Sequence, residues 1–283
     1  MLLTVKPGDR IVTKTVDSAG FDLAGVRRTE THGNPLTGPF FVEGAEPGDA
    51  LEVRIDRIRL NRTTGYSGYR VGLKEAPPVE KPGADVVYKG YDNLFPWTID
   101  LKRGLVRTGQ LEFVAEPMLG CIGVAPEQDY SPRSGPAGYW GGNLDYNLIR
   151  EGATVLLPVF HRGGLLFFGD GHALQGDGEA VGSGVETSLD VEMTVGLRKG
   201  RMLTGPRLET TEWIVSVGGK ENCTLNQTLE IATRDMLRWL IDEHGLSAQD
   251  AHLLIGMRAR YDLITLGGSI GLRIARRDFL RVK

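Results

Sequence analysis

Between Gly169 and Glu186 the chain carries Asp170, His172, Asp177, Glu179 and Glu186. Residues two apart on an extended segment point the same way, so Asp170 faces with His172, and Asp177 with Glu179. Gly169, Gly171, Gly176 and Gly178 separate them. They let the backbone close around a small centre and turn oxygen and imidazole groups inward. One imidazole with several carboxylates suits Zn²⁺ with an open position for water. Ca²⁺ would take the carboxylates alone. The alternative is that the Asp-Gly pairs only make hairpin turns.

A second cluster is Gly141-Gly142-Asn143-Leu144-Asp145-Tyr146-Asn147. In an extended segment Asn143 and Asp145 share a face. Asp145 could then complete a metal shell and Asn143 could bind a substrate carbonyl or amide; a local Asx turn is the other reading. His32, in Thr31-His32-Gly33-Asn34-Pro35, is a ligand, a general base or a surface-loop histidine. His161, His244 and His252 read as structural or peripheral. Gly-x-Ser-x-Gly does not occur. Cys121 lies in an apolar run with no neighbouring base, which marks a buried, inert thiol. If the chain hydrolyses an amide, metal-activated water is the better candidate nucleophile.

The elements that must position these groups are mostly strands. The 39 glycines have no repeat period and alternate with apolar runs, which predicts turns and bulges in a mainly β, sandwich- or barrel-like fold with Gly-rich loops. Ala50–Ile58 alternates, with Leu51, Val53 and Ile55 on one face. Further strands are expected near 109–117, 120–126, 154–160, 165–168 and 189–197. Residues 61–95 form a long polar excursion able to cover a site. Only the last third has a helical period: Leu229, Ala232, Met236, Leu237 and Leu240 share a face. Thr224 with Gln227 forms a capping box, Gly245 fits a C′ position, and Ser247 with Asp250 opens a second helix. The expected organisation is a β-rich catalytic part over 1–200 and an α/β part over 201–283, with helices near 226–244 and 248–258.

A net charge of −3 argues against nucleic-acid or anionic-membrane partners. The start of the chain lacks a signal-peptide layout, and no run reaches the roughly 20 apolar residues that cross a bilayer. The two cysteines, about a hundred residues apart, are expected to be reduced. A cytoplasmic protein is expected.

Four blocks resemble one family when taken in order. They are Leu36-Thr37-Gly38-Pro39 with Val42–Asp49, Met118–Pro126, Gly141–Asp145, and Leu157–Phe160 leading into Gly169–Glu179. This series resembles the acetamidase/formamidase family over residues 34–186. The resemblance implies a mostly β fold with a smaller α/β C-terminal portion, and hydrolysis of short amides to carboxylate and ammonia. It also implies a divalent metal, zinc or calcium; zinc is the first expectation and calcium the second, and a homo-oligomer (dimer or tetramer) is expected. By position the implied ligands are Asp145, His172 and Glu186, with Asp170, Asp177 and Glu179 close by. His32 and Asn34 would form the pocket rim. Glu179 or Glu186 would move protons, and Asn143 would assist at the oxyanion. Tyr146 and Gly171 depart from the residues most expected there, and Tyr146 would reshape the substrate pocket. The rival reading is a non-catalytic β-rich ligand-binding protein with a structural calcium site, or a hydrolase of another small C–N substrate.

Overall fold

The structure, a computed structural model, describes residues 3–30, 33–68, 94–219 and 223–279. The first half contributes β1 (Leu3–Val5), β2 (Arg10–Lys14), β3 (Leu36–Val42), β4 (Ala50–Leu60), β5 (Thr64–Ser67), β6 (Phe95–Asp100), β7 (Leu105–Thr108), β8 (Leu111–Val114) and β9 (Met118–Gly123). Next come β10 (Ala137–Gly138), β11 (Gly141–Asn143), β12 (Thr154–Pro158), β13 (Leu166–His172), β14 (Leu189–Arg198), β15 (Arg207–Glu209) and β16 (Trp213–Gly219). Two helices follow, α1 (Leu225–Asp242) and α2 (Ala248–Arg258), then β17 (Arg260–Thr265) and β18 (Ser269–Ala275). The fold is mainly β with a C-terminal helix pair, as the patterning predicts.

Among the described residues these strands form three sheets. One runs β1-β3-β13-β9-β11-β10, a second β17-β18-β16-β15-β12-β4-β14-β2, and a third β5-β6-β7-β8. The main core lies between the first two: Phe40, Leu119, Ile122 and Phe168 from one sheet meet Leu51, Val53, Ile55 and Val195 from the other. Each such fully buried side chain contributes roughly 1.5–3 kcal/mol. Leu51, Val53 and Ile55 do share a buried face. The period then slips: Ile55 pairs with Met193 and Arg57 with Glu192, leaving Asp56 unopposed. This bulge passes the inward face to Ile58, which is buried.

The second sheet is covered on both sides toward its C-terminal edge. Along β12, Val155 and Leu157 enter the main core while Leu156 enters a second one. Along β16, Val215 and Val217 go one way and Ile214 the other. The second core is capped by Ala232, Met236, Trp239 and Leu240 of α1. β12 pairs with β4 on one side and β15 on the other, so this sheet runs unbroken across residue 200.

The capping box of α1 forms as expected, with Thr224 and Gln227 bonding reciprocally, and Gly245 has φ +70. Its buried face is turned from the expected stripe. Leu229 is 39% exposed, whereas Thr228, Asp235 and Trp239 are buried. The cause is close backbone packing and a buried ion pair. A β-carbon on Gly218 would fall 1.9 Å from the Thr228 carbonyl oxygen, so only glycine lets α1 approach there. Arg207 grips Asp235 in two-pronged fashion, Nε to Oδ2 at 2.8 Å and Nη2 to Oδ1 at 2.9 Å. Both cysteines are free thiols. Among the described residues no helix is long and apolar enough to cross a membrane.

Candidate active site

The site forms where β9, β11 and β13 meet. Gly169 pairs with Cys121 and Gly171 with Leu119 across β13 and β9, while Asn143 pairs with Cys121 from the other side. Asp170 and Asp145 thereby flank Gly120. A β-carbon on Gly120 would fall 2.5 Å from Asp170 Oδ2 and 2.7 Å from Asp145 Oδ1, so both carboxylates rest on a backbone without a side chain. At the end of β13, His172 bridges Glu186, and Glu186 exchanges backbone hydrogen bonds with Tyr66.

Asn34, Asp145, Asp170 and Glu179 all have positive φ, at 55°, 50°, 57° and 44°. Such backbone is uncommon outside glycine and concentrates at sites where the surroundings over-determine it. Here it aims four polar side chains that regular strand geometry would not bring together.

Asp145, Asp170 and His172 each offer one ligand atom within 4.8 Å of the others, and all three are buried. His172 Nε2 stands 2.9 Å from Glu186 Oε1 and 3.6 Å from Asp170 Oδ1. Nε2, Asp145 Oδ1 and Glu186 Oε2 lack well-aligned hydrogen-bond partners among the described residues. The opposite ring nitrogen is engaged: Nδ1 lies 2.8 Å from Gln175 Oε1. Asn143 donates from Nδ2 to Asp145 Oδ2 at 2.6 Å and accepts at Oδ1 from Asn34 Nδ2 at 3.0 Å.

The electrostatics follow from crowding acids away from water. Burial pushes Glu179 up to about 7, the charges of Glu186 and Asp170 adding and His172 opposing. Burial likewise lifts Glu186 to about 7 against the pull of His172. Asp145 is raised well above the usual carboxylate range by burial and by Glu179 and Asp170. Burial works against the His172 imidazolium, but Glu186 and Asp170 outweigh it and push its pKa well up. A cation among these groups would reverse the carboxylate shifts. Cys121 is fully buried, and burial with the charges of Asp170 and Asp145 raises its thiol well up, which keeps it unreactive.

A cavity of about 380 Å³ opens onto this cluster. Asn143, Asp145 and Glu179 face it, and the turn Thr265–Ser269 between β17 and β18 forms the facing wall. The loop carrying Glu179 is clamped to that hairpin, because Gly178 donates to the Leu263 carbonyl at 2.8 Å and accepts from Leu266 N at 2.8 Å.

Asp145, Asp170, His172, Glu186, Asn143 and Glu179 come together, and Asn34 joins them through Asn143. Asp177 does not. It is exposed and accepts from Asn147 Nδ2 at 2.9 Å. Positive φ at Gly178 and Glu179 breaks the two-residue period that would have aligned Asp177 with Glu179. Tyr146 also departs from its expected place at the pocket. It is 1% exposed in the main core, packs over Gly271 and donates to Asp262 Oδ2 at 2.6 Å. His32 lies outside the described residues. Sequence reasoning missed Gly120, Gln175 and the hairpin wall. Of these only Gln175 had a local signal, lying three positions after His172 in the same glycine-rich stretch.

The family model described as the Acetamidase/Formamidase family matches residues 1–133 and 128–258. An acetamidase of Mycolicibacterium smegmatis is 28% identical over 78% of this chain and 72% of its own length. A formamidase of Methylophilus methylotrophus is 26% identical over 70% of this chain, which spans 62% of that relative. The crystal structure of an acetamidase from Bacillus halodurans superposes with a TM-score of 0.83 at 28% identity, covering 99% of this chain and 93% of that one. The ordered motifs, the mainly β fold and these matches together place the chain in the acetamidase/formamidase family of amide hydrolases.

Proposed function

We propose that the chain hydrolyses a short-chain amide of the acetamide or formamide type to carboxylate and ammonia, using a divalent metal ion held by Asp145, Asp170 and His172. The observation that carries this reading is the buried convergence of Asp145, Asp170 and His172, in which Asp145 Oδ1 and His172 Nε2 have no hydrogen-bond partner among the described residues. Leaving such groups unbonded costs roughly 1–3 kcal/mol each, more when charged, unless something fills the space between them. One imidazole with two carboxylates fits zinc better than calcium, which takes six to eight oxygens. Glu186, beside the same Nε2, is the fourth group in reach.

A divalent ion, when bound, supplies Lewis-acid polarisation of an amide carbonyl and acidifies water. The residues do the rest. Glu179 faces the cavity with a proton affinity set near neutrality, the value suited to a group that takes a proton and gives it back. It takes the proton of the water that attacks the amide carbon and passes it to the departing nitrogen. Asn143 spends one N–H on Asp145 Oδ2, and its second N–H serves the developing oxyanion. Asn34 holds Asn143 in that orientation.

The test is ammonia release from formamide, acetamide and longer linear amides, with zinc or with chelator. Zinc-dependent release is expected. Zinc-loaded protein that releases no ammonia from any of them would refute the amidase reading, and full turnover in chelator would refute the metal.

A further inference from the structure

We infer that Gln175 is a positioning residue that orders the metal-binding cluster, by fixing which nitrogen of His172 is presented to it. The inference rests on the metal reading above.

Gln175 is buried, and one end of its amide lies 2.5 Å from the carbonyl oxygen of Asp145. A carbonyl oxygen only accepts, so the Gln175 atom beside it is the Nε2 donor. The other end is then Oε1, which only accepts, and it lies 2.8 Å from His172 Nδ1. Nδ1 must therefore carry a hydrogen and donate it to Oε1. A neutral imidazole holding its proton on Nδ1 has its lone pair on Nε2, the atom that faces Asp170 and Glu186. The backbone of one ligand residue, Asp145, thus dictates the tautomer of another, His172, through a single side chain.

Packing reinforces this relay. A β-carbon on Gly184 would lie 2.5 Å from His172 Cγ and Nδ1, so the ring packs directly on a glycine backbone. The ring is held from below by Gly184 and along its Nδ1 edge by Gln175. Its other nitrogen, Nε2, faces the carboxylates. Groups that orient a ligating histidine in this manner are typically worth 10–100-fold in metal affinity.

The test compares Zn²⁺ affinity of the parent, Gln175→Leu and Gln175→Glu by competition with a chromogenic chelator, with thermal melts to establish folding. Leucine fills similar space and supplies neither donor nor acceptor, so affinity is expected to fall 10–100-fold. Glutamate restores the acceptor for Nδ1 and is expected to bind zinc between the two. Gln175→Met carries the same comparison if the leucine protein does not fold. A folded leucine or methionine variant within twofold of the parent overturns the inference while leaving the metal reading intact, as does a glutamate variant no better than leucine. A parent protein that binds no zinc overturns the metal reading itself, and this inference with it.

Discussion

Gly120 and Asp170 stand so close that the glycine's missing side chain is a condition for the carboxylate's position: a β-carbon there would lie 2.5 Å from Asp170 Oδ2. The same atom would lie 2.7 Å from Asp145 Oδ1. Backbone strain is not the issue, since Gly120 is absent from the positive-φ positions. Space alone decides. Gly120→Ala is expected to displace both carboxylates, lower zinc affinity at least tenfold and cost about 1–3 kcal/mol by overpacking. Calorimetry and chelator competition check it; a variant with parental zinc affinity would show that Gly120 does not place the two carboxylates.

His172 supplies the sole nitrogen of the buried group. His172→Ala is expected to abolish zinc retention and to reduce amide turnover by more than a hundredfold, read by metal analysis after dialysis and by ammonia release. A variant that keeps its metal would mean that the carboxylates alone suffice.

The pH dependence has two parts. If Glu179 takes a proton during turnover, kcat/KM should rise with pH to a plateau, with a midpoint at or below about 7 because a bound cation favours the carboxylate. In Glu179→Gln this limb should disappear along with most of the activity. Stability of the metal-free protein should run the other way. Glu186 has a folded pKa near 7 against an ordinary 4.5, so the native state keeps a proton that the unfolded chain has released between those values. Its contribution is full below pH 4.5 and is lost as pH rises to about 7, a change of about 3 kcal/mol. His172, also raised, loses its stabilising effect in the same direction as pH passes its folded pKa. Melts of metal-free protein from pH 5 to 8 should therefore show a falling Tm, and added zinc should flatten the trend.

Tyr146 offers a test of what lies outside the pocket. Its hydroxyl serves Asp262 in the core. Tyr146→Phe is expected to cost about 1–2 kcal/mol of stability, with kcat/KM within about twofold of the parent. A change of amide preference in this variant would return the side chain to the substrate.

The C-terminal helix depends on a buried ion pair. Arg207 and Asp235 are each about one-twentieth exposed, and Arg207 also binds Glu243 at 2.7 Å. Asp235→Ala leaves a buried guanidinium short of its main partner and is expected to cost about 3–5 kcal/mol, read as a lowered Tm. Zinc affinity of the protein that remains folded should be unchanged, because the pair lies away from the metal cluster. A melt within a degree of the parent would show that the pair adds little.

Sequence by itself determined much of this protein. The alternation of Leu51, Val53 and Ile55, the Thr224–Gln227 cap and the abundance of glycine specify strands, a helix start and many tight turns, because each depends on neighbours only a few residues apart. The ordered motifs likewise point to the family, and they contain Asp145, Asp170 and His172, which the fold brings together. What only the tertiary structure decided is which side chains share that space. Spacing predicts a common face only while the backbone keeps a regular period, and positive φ at Asp145, Asp170, Gly178 and Glu179 breaks it. That is why Asp177 leaves the cluster and Glu179 enters the cavity. Tyr146 went to the core for a related reason: Asp262 and Gly271, more than a hundred positions away, meet it from the C-terminal hairpin. Gly120 beneath two carboxylates, Gln175 between His172 and Asp145, and the wall at Thr265–Ser269 depend on strand register and chain crossing. Those are set by the burial of the two sheets against each other, which no local run of residues encodes.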